Sequence, residues 1–227
     1  MKGYSYIKTF VSFVCFSLLV DASFAQQKEI GSWITVTLKL TSKSKWSSYG
    51  EFQIRSLSPY SRFYYNEIKT GITYSFNKTV SATLGTGYYN TFNEGEKYDN
   101  YNRKKEFRIW QQLILKQDFF IALVEHRFRI EQQFADKYSN RLRYRLNVNV
   151  PINNKELKPK TFFISINDEM FFTNKLPHFS RNRFYGGSGY VFNKNFTLQA
   201  GVLRQVDFSV EKDRRKNYLF TSFTYSF

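Results

Sequence analysis

The residues best equipped for chemistry in this chain are charged, and many of them recur at a spacing of two. Glu51, Arg55, Glu67, Lys69, Glu106, Arg108, Glu125, Arg127, Arg129, Glu131, Arg141, Arg143, Arg145, Glu169 and Arg183 form this set. Gathered in one place they could do two things. Carboxylate–guanidinium forks, the strongest polar pairs available, could knit a packed network. Alternatively, an excess of bases along a wall could make a narrow passage that favours anions. Six acids against nine bases allow either outcome, and the packed network is the first expectation.

Other chemistries have less to work with. The chain holds two histidines, His126 and His178, and one cysteine, Cys15. His178 lies two residues before Ser180, but a Ser–His pair needs a spatial hydrogen bond and an orienting third group. A rim-located lipid-modifying enzyme is therefore the least favoured reading. Asp168-Glu169 lacks the loop of an EF-hand. Gly85-Thr86-Gly87 and Gly186-Gly187-Ser188-Gly189 lack the following Lys-Ser/Thr of a phosphate loop. No catalytic, metal or cofactor-binding residue is expected, and no cofactor.

The elements that must position the charges are strands. Period-two alternation dominates the chain and marks strands with unlike faces. Phe128, Ile130 and Phe134 alternate with Glu125, Arg127, Arg129, Glu131 and Gln133. Leu142, Tyr144, Leu146, Val148 and Val150 alternate with Arg141, Arg143, Arg145, Asn147 and Asn149. About eleven such segments follow one another, many of ten residues or more, which is longer than the roughly five or six of soluble sandwiches. Asn77-Lys78, Gln117-Asp118 and Asn193-Lys194-Asn195 read as tight turns. Asn93 to Lys104, Thr173 to Arg181 and Asp207 to Lys216 read as long polar loops.

Long amphipathic strands with short turns on one side and long loops on the other predict an all-β, antiparallel, up-and-down transmembrane barrel. The charged face then points into the lumen and His126 onto the lipid side. Such barrels usually have an even number of strands, so twelve are expected, with ten as the alternative.

The ends of the chain agree with that address. Lys2 and Lys8 precede a short apolar run to Val20, and Ser23-Phe24-Ala25 supplies small residues before a cut between Ala25 and Gln26. This is the layout of a cleaved secretory signal, too short for a helical span, leaving residues 26–227 as the barrel domain. Cys15 leaves with the signal, and with it any thiol chemistry. Losing Lys2, Lys8 and Asp21 changes the net charge from +16 to +15. Export argues against nucleic acid as the partner of that charge. Outer-membrane lipid is the expected surrounding, with Arg214, Arg215 and Lys216 placed to meet anionic lipopolysaccharide. Mean hydropathy of −0.49 is too low for a helical membrane protein. Phe227, preceded by Tyr225 and Phe223 at every second position, resembles the C-terminal signal read by the barrel-assembly machinery. A monomer in the bacterial outer membrane is expected.

Seven stretches carry a family resemblance. They are Trp33; Phe52-Gln53-Ile54-Arg55; Glu106-Phe107-Arg108-Ile109-Trp110-Gln111-Gln112; His126-Arg127-Phe128-Arg129-Ile130-Glu131; Arg141-Leu142-Arg143-Tyr144-Arg145; Asp168-Glu169; and Asn182-Arg183. In this order and spacing they resemble the uncharacterised bacterial family of domain of unknown function 2490. The resemblance implies an outer-membrane barrel and supplies no activity or catalytic residue.

Turn positions also predict partners. A two-residue turn at Gln117-Asp118 sets Glu106 opposite Arg129 and Arg108 opposite Arg127. A loop from Ala135 to Ser139 pairs Phe134 with Asn140 and sets Glu131 opposite Arg143. The two arginines facing each other would need a third partner, with Glu125 nearest, so a connected lattice is expected rather than isolated pairs.

Overall fold

The computed structural model describes residues 30–42, 44–92 and 104–227. The expected signal segment, its cleavage site at Ala25 and Gln26, and residues 93–103 of the first long loop lie outside the described residues.

The alternating segments become eleven strands: β1 (Gly31–Thr41), β2 (Trp46–Ser58), β3 (Ser61–Ser75), β4 (Val80–Thr91), β5 (Lys104–Phe119), β6 (Ala122–Phe134), β7 (Ser139–Pro151), β8 (Thr161–Thr173), β9 (Phe179–Val191), β10 (Phe196–Asp207) and β11 (Arg214–Ser226). Each pairs with its sequence neighbours, and β1 pairs with β11 to close a barrel. Strands of this length suit a tilted wall. At roughly 3.3 Å per residue and a tilt of about 45°, thirteen residues rise through about 30 Å.

The ring corrects the expectation of twelve or ten strands. Directions alternate along a meander, so the first and last strands of an odd set run the same way. The seam is accordingly parallel, from Gly31↔Tyr218 to Lys39↔Ser226, while every other pairing is antiparallel. With β1 bonded to both β2 and β11, the described ring has no gap for a twelfth strand. Evenness lets both termini leave at the same end, and this chain does without it. Ile30 leads into one end, and Phe227 leaves at the other.

The last residue is built into the seam. The Phe227 amide donates to the Lys39 carbonyl at 2.9 Å, and the Phe227 carbonyl accepts from the Thr41 hydroxyl at 2.6 Å. Connections at the Phe227 end span residues 42–45, 76–79, 120–121, 152–160 and 192–195. At the Ile30 end, strand pairing extends further than expected: β8 continues to Thr173, β10 to Asp207, and β11 begins at Arg214. Two of the loops expected to be long are thereby shortened to residues 174–178 and 208–213.

Two hairpins have a different register from that expected. The β5–β6 turn falls at Phe120-Ile121, not Gln117-Asp118, because pairing continues through Phe119↔Ala122. Phe120 takes the left-handed backbone at this turn, with φ of 55°. Arg108 therefore faces Gln133, and Arg129 faces Gln112. Between β6 and β7 the pairing slips by two, so Glu131 faces Arg141, and Arg129 faces Arg143. Both slips are even, which keeps every inward residue facing inward.

The two faces are inverted relative to a soluble barrel. Ile68, Ile72, Leu84 and Val202 are more than half exposed on the outside. Arg55, Glu67, Glu131 and Glu169 are buried inside. Glycines let large rings lie flat on the inner wall. A Cβ on Gly85 would sit 2.3 Å from the Trp110 ring, and one on Gly189 would sit 2.3 Å from the Phe163 ring. The two glycine-rich stretches thus serve close packing.

Deleting Phe227 should lower the melting temperature of the barrel refolded in detergent by the equivalent of about 1–3 kcal/mol, since two main-chain bonds are lost. Phe227→Ala keeps both bonds and should cost distinctly less. Equal losses in thermal melts of the two variants would show that the ring, not the seam, matters.

Candidate functional site: the charged lumen

Alternation along β5, β6, β7 and β8 brings inward side chains from four strands to one point. Glu131, with no solvent exposure, lies at its centre. Its Oε2 accepts from Arg141 Nε at 3.0 Å and Nη2 at 2.5 Å. Its Oε1 accepts from Arg143 Nη1 at 2.5 Å, with Arg129 Nη1 at 3.4 Å. Arg108 Nη1 stands 3.8 Å from Oε2, while Nε and Nη2 of the same guanidinium fork onto Glu106 at 2.6 and 2.8 Å. Arg143 then carries the network onward, donating Nε and Nη2 to Glu169 Oε1 at 3.0 and 2.6 Å. Glu169 also accepts from Arg127 and lies 3.7 Å from Arg183 Nη1.

A second group is built on β2 and β3. Lys69 Nζ bridges Glu51 at 2.5 Å and Glu67 at 2.7 Å. Arg55 Nη2 meets Glu67 at 3.1 Å, and the Tyr65 hydroxyl donates to the same carboxylate. Aromatic rings join the two groups. The Arg55 guanidinium lies 3.5 Å from the Trp33 ring centre and 3.9 Å from that of Tyr65. Arg183 lies 4.8 Å from Trp33 on one side and 4.7 Å from Phe171 on the other. Each such stack contributes about 0.5–2 kcal/mol, more when desolvated.

The network does not fill the barrel. A cavity of about 790 Å³ remains, lined by residues from every strand and from both ends of the lumen. Lys39 and Thr224 line it towards the Phe227 end, and Arg214 and Lys216 towards the Ile30 end. Thirteen Lys or Arg side chains line it against five Asp or Glu. Glu125 and Glu131 bond to lining arginines without lining the cavity themselves, and even with them the bases exceed the acids by six.

All the candidate lumen residues fall inside and in ion pairs. Besides those described, Arg145 Nη2 meets Glu125 Oε1 at 2.8 Å. Glu106 does not approach Arg129, and Arg108 does not pair with Arg127, as the shifted register requires. Phe223 and Tyr225 lie on the outer face of β11, with Phe227 just beyond it. His126 lies outside and shares a hydrogen bond with the Tyr144 hydroxyl at 2.8 Å. His178 Nδ1 lies 3.2 Å from the Thr173 carbonyl, and the Ser180 hydroxyl donates to the Phe171 carbonyl at 3.3 Å. These two side chains address the main chain rather than one another.

Residues 30–216 match a family described as protein of unknown function (DUF2490). The chain belongs to this family. No curated protein and no solved structure matches it.

This DUF2490 barrel also holds inward residues that the sequence reading passed over. Trp110, Phe171, Tyr185 and Tyr218 are buried in the lumen. Each shares parity with a charged neighbour, as Trp110 does with Arg108, and glycines opposite Trp110 and Phe163 are the available signal. Arg181 and Asp207 pair inside as well, because β9 and β10 extend into stretches whose composition is that of loops. Gln205 Oε1 accepts from Arg183 Nε at 2.9 Å.

Removing one member of a buried ion pair typically costs about 3–5 kcal/mol, and removing both can cost less. Glu131→Ala and Arg143→Ala in this DUF2490 protein should each be strongly destabilising in urea unfolding. The double variant should lose less than the sum of the two, and additive losses would mean that the hub does not couple them.

Proposed function

We propose that the protein is a monomeric outer-membrane β-barrel whose lumen is a narrow, anion-favouring passage. The observation that carries this reading is the excess of bases along a cavity reaching towards both ends of the lumen. Charged rings of one sign set the selectivity of narrow pores. The membrane setting is supported by the apolar outer belt, since Ile68 and Ile72 lie exposed around a buried ionic interior. It is supported further by the signal-like first 25 residues and by Phe223, Tyr225 and Phe227, which resemble an address for the barrel-assembly machinery. On this reading the Phe227 end faces the periplasm. The Ile30 end then presents Arg215 on the outer face of β11 towards lipopolysaccharide, while Arg214 and Lys216 turn into the mouth of the lumen.

A second reading is favoured by one observation. The complete burial of Glu131 beneath its arginines is what a structural plug would need, and the charges would then replace a hydrophobic core without conducting.

The mature protein should fractionate with the outer membrane and shift in gel mobility on heating. Recovery as a folded soluble protein without detergent contradicts the membrane setting. In planar bilayers under a potassium chloride gradient, small steps with a reversal potential of anion sign are expected. A silent or cation-selective barrel refutes the passage, and silence favours the plug.

A further inference from the structure

Arg129 and Arg143 are direct cross-strand partners, and so are Arg127 and Arg145. Like charges placed opposite each other on neighbouring strands are destabilising unless something sits between them. The first pair has that something within the protein, because Glu131 Oε1 accepts from Arg129 Nη1 at 3.4 Å and from Arg143 Nη1 at 2.5 Å. The second pair has no such shared carboxylate. Arg127 gives Nη2 to Glu169, and Arg145 gives Nη2 to Glu125 at 2.8 Å, so the two guanidiniums are drawn to different acids.

Three further observations fall at the same place. The Nε atoms of Arg127 and Arg145 are both buried with no hydrogen-bond partner. A buried charged donor left without a partner is destabilising, because it has given up its bond to water and gained none in return. Glu169 already serves Arg127, Arg143 and Arg183, so its single charge is oversubscribed. Finally, both arginines line the cavity, next to the amide side chains of Asn147 and Asn167. Charge and open space thus coincide at this pair, and the unpartnered Nε atoms mark bonds that the protein itself leaves unmade there.

We infer that Arg127 and Arg145 form a binding site for a dianionic oxyanion of the phosphate class, either free phosphate or the phosphoryl end of a phosphomonoester. The guanidinium fork matches two oxygens of such a group, and two facing forks match its charge of about −2. The anion takes, for the lower arginine pair, the place that Glu131 takes for the upper one. Asn147 and Asn167 offer it further donors. This site rests on the proposed anion-favouring lumen but not on conduction through it, since a lumen plugged elsewhere would still hold the ligand.

The test uses the intact barrel, purified in zwitterionic detergent. Calorimetric and thermal-melt titrations with inorganic phosphate are compared with chloride at matched ionic strength, and repeated with glycerol 3-phosphate. Saturable binding and a raised melting temperature are expected with phosphate and not with chloride. Preference for free phosphate or for the monoester identifies the source. Arg145→Gln should weaken binding at least tenfold and Arg145→Lys less, whereas Lys194→Gln in the exposed connection between β9 and β10, away from the cavity, should leave it unchanged. Asn147→Asp, which sets a carboxylate beside the pair, should abolish binding and keeps the test decisive if Arg145→Gln fails to fold. A response equal to that of chloride, or full binding by both Arg145→Gln and Asn147→Asp, overturns the site. Phosphate binding without bilayer conductance would refute the passage alone, and anion conductance without saturable binding would refute the site alone.

Discussion

A carboxylate without solvent, Glu131, is held in place by the guanidiniums of Arg141 and Arg143, with Arg129 and Arg108 close by. Burying an isolated carboxylate is prohibitive, whereas burying it with good partners is feasible. Those partners come from β5, β6 and β7, so the carboxylate is satisfied only when three strands are in register. Arg143 extends the requirement to β8 through Glu169. Most aliphatic residues of this barrel face outward, and the apolar packing inside is largely aromatic, with Trp33, Tyr65, Trp110, Tyr185 and Tyr218 in one cluster. Polar geometry specifies register beside that cluster, and this hub joins the most strands.

Closure is the second constraint, and it follows from the first. An ionic interior tolerates no frayed edge, because an open strand would admit water and leave arginines without partners. An odd ring meets this with a parallel seam, and the last residue is tied to β1 by its own amide and carbonyl. Rings stacked on the inner wall complete the filling. Trp33, Tyr65 and Phe171 present flat faces to Arg55, Arg143 and Arg183, which lets cations share a small space with few acids. The cavity left between these groups keeps a basic wall, to which Arg127 and Arg145 contribute.

The facing of the charged residues was legible because alternation is a property of the chain itself. Arg141, Arg143 and Arg145 share parity whatever they pair with, and so do Glu125 through Glu131. Register was not legible, because it depends on where each hairpin turns. Gln117-Asp118 has turn-like composition, yet the chain turns at Phe120-Ile121, since pairing across β5 and β6 outweighs the local preference of two polar residues. Eleven alternating segments are visible in the sequence, and the rule of evenness that argues for twelve or ten does not bind a ring closed by a parallel seam. Inward aromatics escaped notice for a related reason. Apolar character alone argues for the outer face, but Trp110 and Phe163 share parity with inward residues and lie opposite glycines, whose missing Cβ leaves room for the rings.

The central claim is that the apolar face of this ring meets lipid while the ionic face is enclosed. Residues 26–227 contain no cysteine, so single thiols can be introduced at will. Ile164→Cys, Ser165→Cys, Ile166→Cys and Asn167→Cys place labels along β8 on alternating faces. In protein reconstituted into vesicles, fluorophores on these thiols would be challenged with a quencher attached to lipid tails. Strong quenching at positions 164 and 166, with little at 165 and 167, is the predicted result. Quenching that is absent or equal at all four positions would contradict the inverted barrel.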